Sequence, residues 1–180
     1  MLTNTEVIIL PYAGKSDRTI LHLLVREFSS DRWTLFQSAI AFAKQSGNYE
    51  ELLLAIKGFL MNGGRVEMTF GADVFGREVK GSEYEAVEKL LTEFEAQPNA
   101  KLFLYHEKGT RTFHPKIYLF SSVERREALL IVGSSNWSAG GFYDNVEANV
   151  CVELNLKKAD HLSCYDRLQS YFSDYWQGPE

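Results

Sequence analysis

Two spacings of apolar residues alternate along the chain, one near every second position and one near every third or fourth. The second kind predicts a helix over residues 18–28, capped by Asp17, with Ile20, Leu21, Leu24, Val25 and Phe28 on one stripe. It recurs over 49–61, where Asn62-Gly63-Gly64 supplies the C-terminal stop. A third helix is expected to follow Ser82, paired with Glu85 as a capping box, and to run to Phe94 with Val87, Leu90, Leu91 and Phe94 buried. A fourth spans 160–176, with Leu162, Tyr165, Leu168 and Phe172 on its apolar side. Between them, short apolar or alternating runs predict strands at 7–10, 33–43, 65–70, 101–105, 113–120, 127–132 and 146–154, with a loop at 71–76. Strands interleaved with helices, and a last group of strands joined by short turns, make this an α/β protein. A layered mixed β-sheet flanked by helices is expected, in one domain over residues 1–180.

Chemistry-bearing residues concentrate in the last group of strands. In the 113–120 run, His114, Lys116 and Tyr118 are expected on one face and Pro115, Ile117 and Leu119 on the other. An imidazole and an ammonium then approach one substrate group from the same side, as nucleophile and phosphate ligand would. The next strand ends in Gly133-Ser134-Ser135-Asn136, a loop of backbone N–H groups, hydroxyls and one amide suited to anionic oxygens. In 146–154, Val146, Ala148, Val150 and Val152 share one face, and Glu147, Asn149, Cys151 and Glu153 the other. Glu147 starts that strand, where it could accept from a histidine N–H and fix its tautomer.

His114-x-Lys116, then Gly133-Ser134-x-Asn136, then Glu147 eleven positions after the asparagine, resembles the signature of the phospholipase D superfamily. The resemblance implies that His114 attacks phosphorus, that Lys116 and Asn136 hold phosphate oxygens, that Glu147 orients a histidine, and that no metal or other cofactor is required. Ser134 matches the family's serine, and Ser135 and Arg111 are added as substrate contacts. The family's aspartate, five residues after the lysine, is replaced by Ser121, a departure shared with the superfamily's single-motif restriction endonucleases. Since the mechanism uses two histidines and this chain carries one His-x-Lys, the resemblance implies a homodimer with one composite site on its two-fold axis.

Composition bears on the substrate. Formal net charge is −5, so the chain as a whole is no general polyanion binder. Residues 101–126, however, carry six basic residues against Glu107 and Glu124, a surplus that surrounds the motif in sequence. With it, the single motif favours a nucleic acid, DNA before RNA, with sequence recognition left to a separate domain or subunit. A lipid phosphodiesterase or phosphatidyl transferase, and a non-catalytic nucleic-acid-binding module of the same fold, are the alternatives. Cys151 and Cys164 form neither a disulfide framework nor a zinc pattern. Neither a leader nor a membrane-length apolar run is visible, so a cytoplasmic protein without membrane contact is expected. His106, His22 and His161 are read as solvent-facing, Asp73 as a loop cap, and Trp137 as packing under its loop.

Overall fold

The computed structural model describes residues 4–10, 19–75, 78–106 and 112–177. In chain order these form β1 (Asn4–Leu10), α1 (Ile20–Phe28), β2 (Leu35–Ile40), α2 (Glu50–Met61), β3 (Arg65–Phe75) and β4 (Glu78–Gly81). There follow α3 (Tyr84–Phe94), β5 (Ala100–Tyr105), β6 (Lys116–Ser122), β7 (Glu127–Gly133), β8 (Glu147–Asn155) and α4 (Ala159–Gln177).

Among the described residues the strands build one eight-stranded mixed sheet in the order β1-β8-β7-β6-β2-β3-β4, with β5 also on β3. β2, β3 and β5 run parallel, joined through α2 and α3, because a parallel return needs a long crossover. β6, β7, β8 and β1 are antiparallel to one another, and β6 closes antiparallel on β2.

Alternation along the central strands divides the side chains between two cores. Phe36 and Ile40 of β2, Tyr118 and Phe120 of β6, and Leu129 and Ile131 of β7 face α1, α2 and α3. Phe28, Phe36 and Phe120 meet there with ring centroids 4.6 to 4.9 Å apart. Burial of each such ring contributes roughly 1.5–3 kcal/mol against the entropy of ordering the chain. Ala39, Leu119, Ala128 and Leu154 face the other way, under Tyr165, Leu168 and Phe172 of α4. Polar contacts fix where α4 lies: Gln169 Nε2 donates to Gln37 Oε1 (2.7 Å), and Trp176 Nε1 to Thr69 Oγ1 (3.1 Å).

Several local expectations are corrected. α1 is capped by Thr19, whose hydroxyl accepts from the His22 N–H at 3.2 Å, while Asp17 lies outside the described residues. The 33–43 strand is shorter, Leu35–Ile40, with only an isolated bridge from Ala43 to Trp137 beyond it. Residues 71–75 continue β3 and pair with β4 instead of forming a loop, so Asp73 lies within a strand. Ser82 does not cap α3; its hydroxyl accepts from the Ala43 N–H at 2.9 Å, and Glu83 takes the cap position without a side-chain bond to the helix. Leu91, expected in the buried stripe of α3, is 54% exposed. The stop after α2 forms as expected: Gly63 adopts φ 87°, and the Gly63 and Gly64 N–H groups donate back to Leu60 and Phe59.

Candidate functional site

One edge of the sheet gathers the end of β2, the start of β6, the end of β7 and the start of β8. β6 begins at Lys116, three residues later than expected, so His114 stands in the segment that leads into the strand. Past its last ladder residue, β2 holds two neighbouring segments apart. The Ala41 N–H donates to Pro115 O at 2.7 Å, and the Lys44 N–H donates to Trp137 O at 2.8 Å. The His114–Lys116 segment and the Asn136 loop are thereby tied to the same few residues.

Lys116 is 7% exposed and His114 is exposed. The ammonium Nζ lies 2.8 Å from His114 Nδ1 and 3.0 Å from Nε2, and donates to the His114 carbonyl at 3.2 Å. A cation donor therefore sits beside the ring whichever nitrogen carries the lone pair. Burial pulls the Lys116 pKa below its ordinary range, and the charge on Glu147 partly restores it.

The loop after β7 is held by its neighbours. Ser135 is fully buried; its carbonyl accepts from Tyr118 Oη (2.9 Å) and its hydroxyl from Asn149 Nδ2 (2.9 Å). The Ser134 hydroxyl accepts from the Ala148 N–H at 3.0 Å, and the Ser134 N–H donates to Ala148 O at 3.1 Å. Both serines, expected as substrate ligands, have their hydroxyls engaged by β8. Tyr118 and Asn149 are the residues that sequence reasoning left without a role. Their signal was present, since each shares a strand face with a candidate, Tyr118 with Lys116 and Asn149 with Glu147. Burial pushes the Tyr118 phenol far upward, so it stays a hydrogen-bond donor.

The Asn136 side chain makes no hydrogen bond among the described residues, and its Oδ1 is buried and unpartnered. Gly141 allows this placement, because a Cβ there would overlap the Asn136 backbone. Trp137 packs beneath, as expected, fully buried against Phe70 and Phe142 with its Nε1 donating to Asn48 Oδ1 at 2.8 Å. Glu147 accepts from Asn145 Nδ2 at 3.3 Å and forms no hydrogen bond with His114 of its own chain.

Other candidates are distributed differently from expectation. Arg111 lies outside the described residues. Arg125 and Arg126 occupy the β6–β7 turn, at the opposite end of β6 from Lys116, so these two arginines do not converge on the site. Ser121 is buried about 17 Å along the strand from Lys116, where Tyr165 Oη donates to its hydroxyl at 3.3 Å. The position of the replaced aspartate therefore belongs to the α4 interface and not to the site. His161 is not solvent-facing: it is 1% exposed, and its Nδ1 accepts from the Asn155 N–H at 2.9 Å. His22 and His106 are exposed, as expected. Cys151 and Cys164 are free thiols. Among the described residues no group of three or more His, Cys, Asp or Glu could hold a metal, and no helix is long and apolar enough to cross a membrane.

Comparison with known proteins bears on the fold and the family. Solved structures of the same fold include NucT from Helicobacter pylori, at 18% identity and a TM-score of 0.62, with 97% of this chain and 96% of that one covered. Nuc from Salmonella typhimurium, a phospholipase D family member, matches at 14% identity and a TM-score of 0.62, covering 97% and 95%. The phosphatidylserine synthase of Haemophilus influenzae matches at 13% identity and a TM-score of 0.65, over 95% of this chain and 39% of that one. No curated protein matches the sequence. The family profile described as cardiolipin synthase, PLD-like domain, matches residues 35–176, and the chain belongs to this phospholipase D-like family.

Proposed function

We propose that the chain is a metal-independent phosphodiesterase acting on a polynucleotide, DNA before RNA, through a covalent phosphohistidine at His114. The observation that carries this reading is the exposed imidazole of His114 with the buried Lys116 ammonium 2.8 Å from its ring. One ring nitrogen attacks phosphorus; the N–P bond forms as the P–O bond to the leaving group breaks. Lys116 and the Asn136 amide neutralise charge on the non-bridging oxygens. A second imidazole gives its proton to the departing oxygen, then takes one from the water that cleaves the N–P bond and restores His114.

The second imidazole is the partner's His114 in a symmetric homodimer. Two features support this arrangement. Glu147 forms no hydrogen bond with its own His114, leaving it to orient the one across the axis. Val132, just before the Ser134 loop in sequence, and Tyr143 and Val146, just before Glu147, are exposed apolar side chains that a second copy would cover.

The test is cleavage of labelled DNA in excess EDTA. Turnover should persist without added metal and fall on the order of 10³-fold or more in His114→Ala. Acid-labile label should be trapped on the wild-type chain. The family profile is of a lipid-synthase type and one structural relative is a phosphatidylserine synthase, so phosphatidylcholine vesicles make the parallel substrate. Turnover of lipid without turnover of DNA rejects the polynucleotide reading.

A further inference from the structure

Beside the candidate site a cavity of about 900 Å³ opens between α3 and the rim of the sheet. Its walls are Phe42, Val87, Leu91 and Leu104, with Tyr84 at the edge. Leu91 and Leu104 are 54% and 59% exposed, large apolar groups that stand open among the described residues.

The cavity and the site share a face and a wall. Lys116 is in register with Ile40, Ile40 with Phe70, and Phe70 with Leu104, and register partners point to the same side of a sheet. Three strand spacings separate Lys116 from Leu104, about 14 Å. The wall between them is the segment 41–44, bonded at one end to Pro115 and at the other to Trp137. Phe42 lies in the middle of that segment and lines the cavity.

The lining chemistry discriminates among ligands. Glu83 and Glu88 stand in the cavity wall against one cation, Lys44, which is already paired with Glu83 at 3.0 Å. With Glu83 offset by Lys44, the charge of Glu88, which accepts from Tyr84 Oη at 2.9 Å, repels a phosphate or an anionic headgroup, so the cavity is not a continuation of the phosphate site. An unpaired nucleobase presents flat π faces to Phe42 and Tyr84 and N–H donors that carboxylates accept. We propose that this cavity receives an unpaired base of a single-stranded polynucleotide whose neighbouring phosphodiester lies at His114 and Lys116. A base stacked within a duplex cannot enter it, so the chain selects single strands. This proposal rests on the polynucleotide reading of the site and names the form of that substrate.

Binding of a fluorescein-labelled single-stranded oligonucleotide, followed by anisotropy, is compared with that of an abasic strand carrying the same phosphates. The base-bearing strand should bind about tenfold more tightly to the wild type. Leu91→Asp and Leu104→Asp, each at an exposed position and checked by circular dichroism, should reduce it to the abasic level. Neither should alter hydrolysis of bis(p-nitrophenyl) phosphate, which has a scissile diester and no base. Equal affinity for the two strands overturns the proposal, as does wild-type binding by both variants. Capture of phosphatidylcholine vesicles that the variants abolish overturns it in favour of an acyl chain. Failure of the wild type to hydrolyse either the small diester or the oligonucleotide rejects the catalytic reading instead, and the strand comparison still decides the cavity.

Discussion

At the scale of single residues, Lys116 sets function against stability. On the proposed mechanism its ammonium holds phosphate, yet burial favours the neutral amine, and Glu147 opposes that preference. The folded-state pKa is below that of the unfolded chain. Between those two values the unfolded state binds more protons, so folding stability rises with pH while the catalytic cation is being lost. The basic limb of the kcat/KM profile should therefore fall below the usual lysine range, and Glu147→Gln should move it further toward neutral. A limb that stays in place in Glu147→Gln would remove the coupling. Lys116→Met should lose about 10²–10³-fold in turnover and unfold at a higher temperature than the wild type; a lower midpoint would contradict the account. The His-x-Lys and Gly-Ser-x-Asn spacings were readable because strand alternation brings their ends to one rim. His161 was not, because its burial depends on the turn after β8 folding back so that the imidazole accepts from Asn155. Ser121, five residues after Lys116, lies on the other face of the strand and about 17 Å along it, so its packing against α4 was not readable from the motif.

At the scale of elements, the helices and most strands followed from periodicity, while their ends did not. Ser82 and Glu85 have the capping-box spacing, but Ala43 N–H lies within reach of the Ser82 hydroxyl, and that tertiary partner replaces the local one. Residues 71–75 read as a loop because Gly71 and Ala72 interrupt the apolar run, yet pairing with β4 extends the strand. The loop that presents Asn136 depends on the same kind of tertiary support, from Tyr118, Asn149 and the close approach of Gly141. In Gly141→Ala the added methyl must displace the Asn136 backbone. Turnover should then fall with little change in the far-ultraviolet circular dichroism, since the residue lies outside the sheet ladders. Tyr118→Phe leaves the Ser135 carbonyl unpaired in a buried setting, which should cost about 1–3 kcal/mol in urea unfolding. A variant as stable and as active as the wild type would show that the phenol does not secure the loop.

At the scale of the whole molecule, the proposed two-step transfer uses two imidazoles, and the candidate site of one chain supplies one. In the proposed dimer the carboxylate of Glu147, which makes no hydrogen bond to its own His114, meets the partner's His114. This arrangement has a numerical consequence that distinguishes it from a site complete within one chain. If each dimer holds a single composite site needing both copies of His114, a dimer with one wild-type and one His114→Ala subunit is inactive. Unfolding an equal mixture of the two proteins together and refolding them randomises the pairing. Activity per total protein should then be about one quarter of the wild-type value, because only wild-type pairs work. Independent sites would instead give about one half, and that result would remove the shared site. The same mixture, left without unfolding, provides the control: before subunits exchange, activity is about one half under either arrangement, so a decline from one half toward one quarter on refolding isolates the contribution of the partner's histidine.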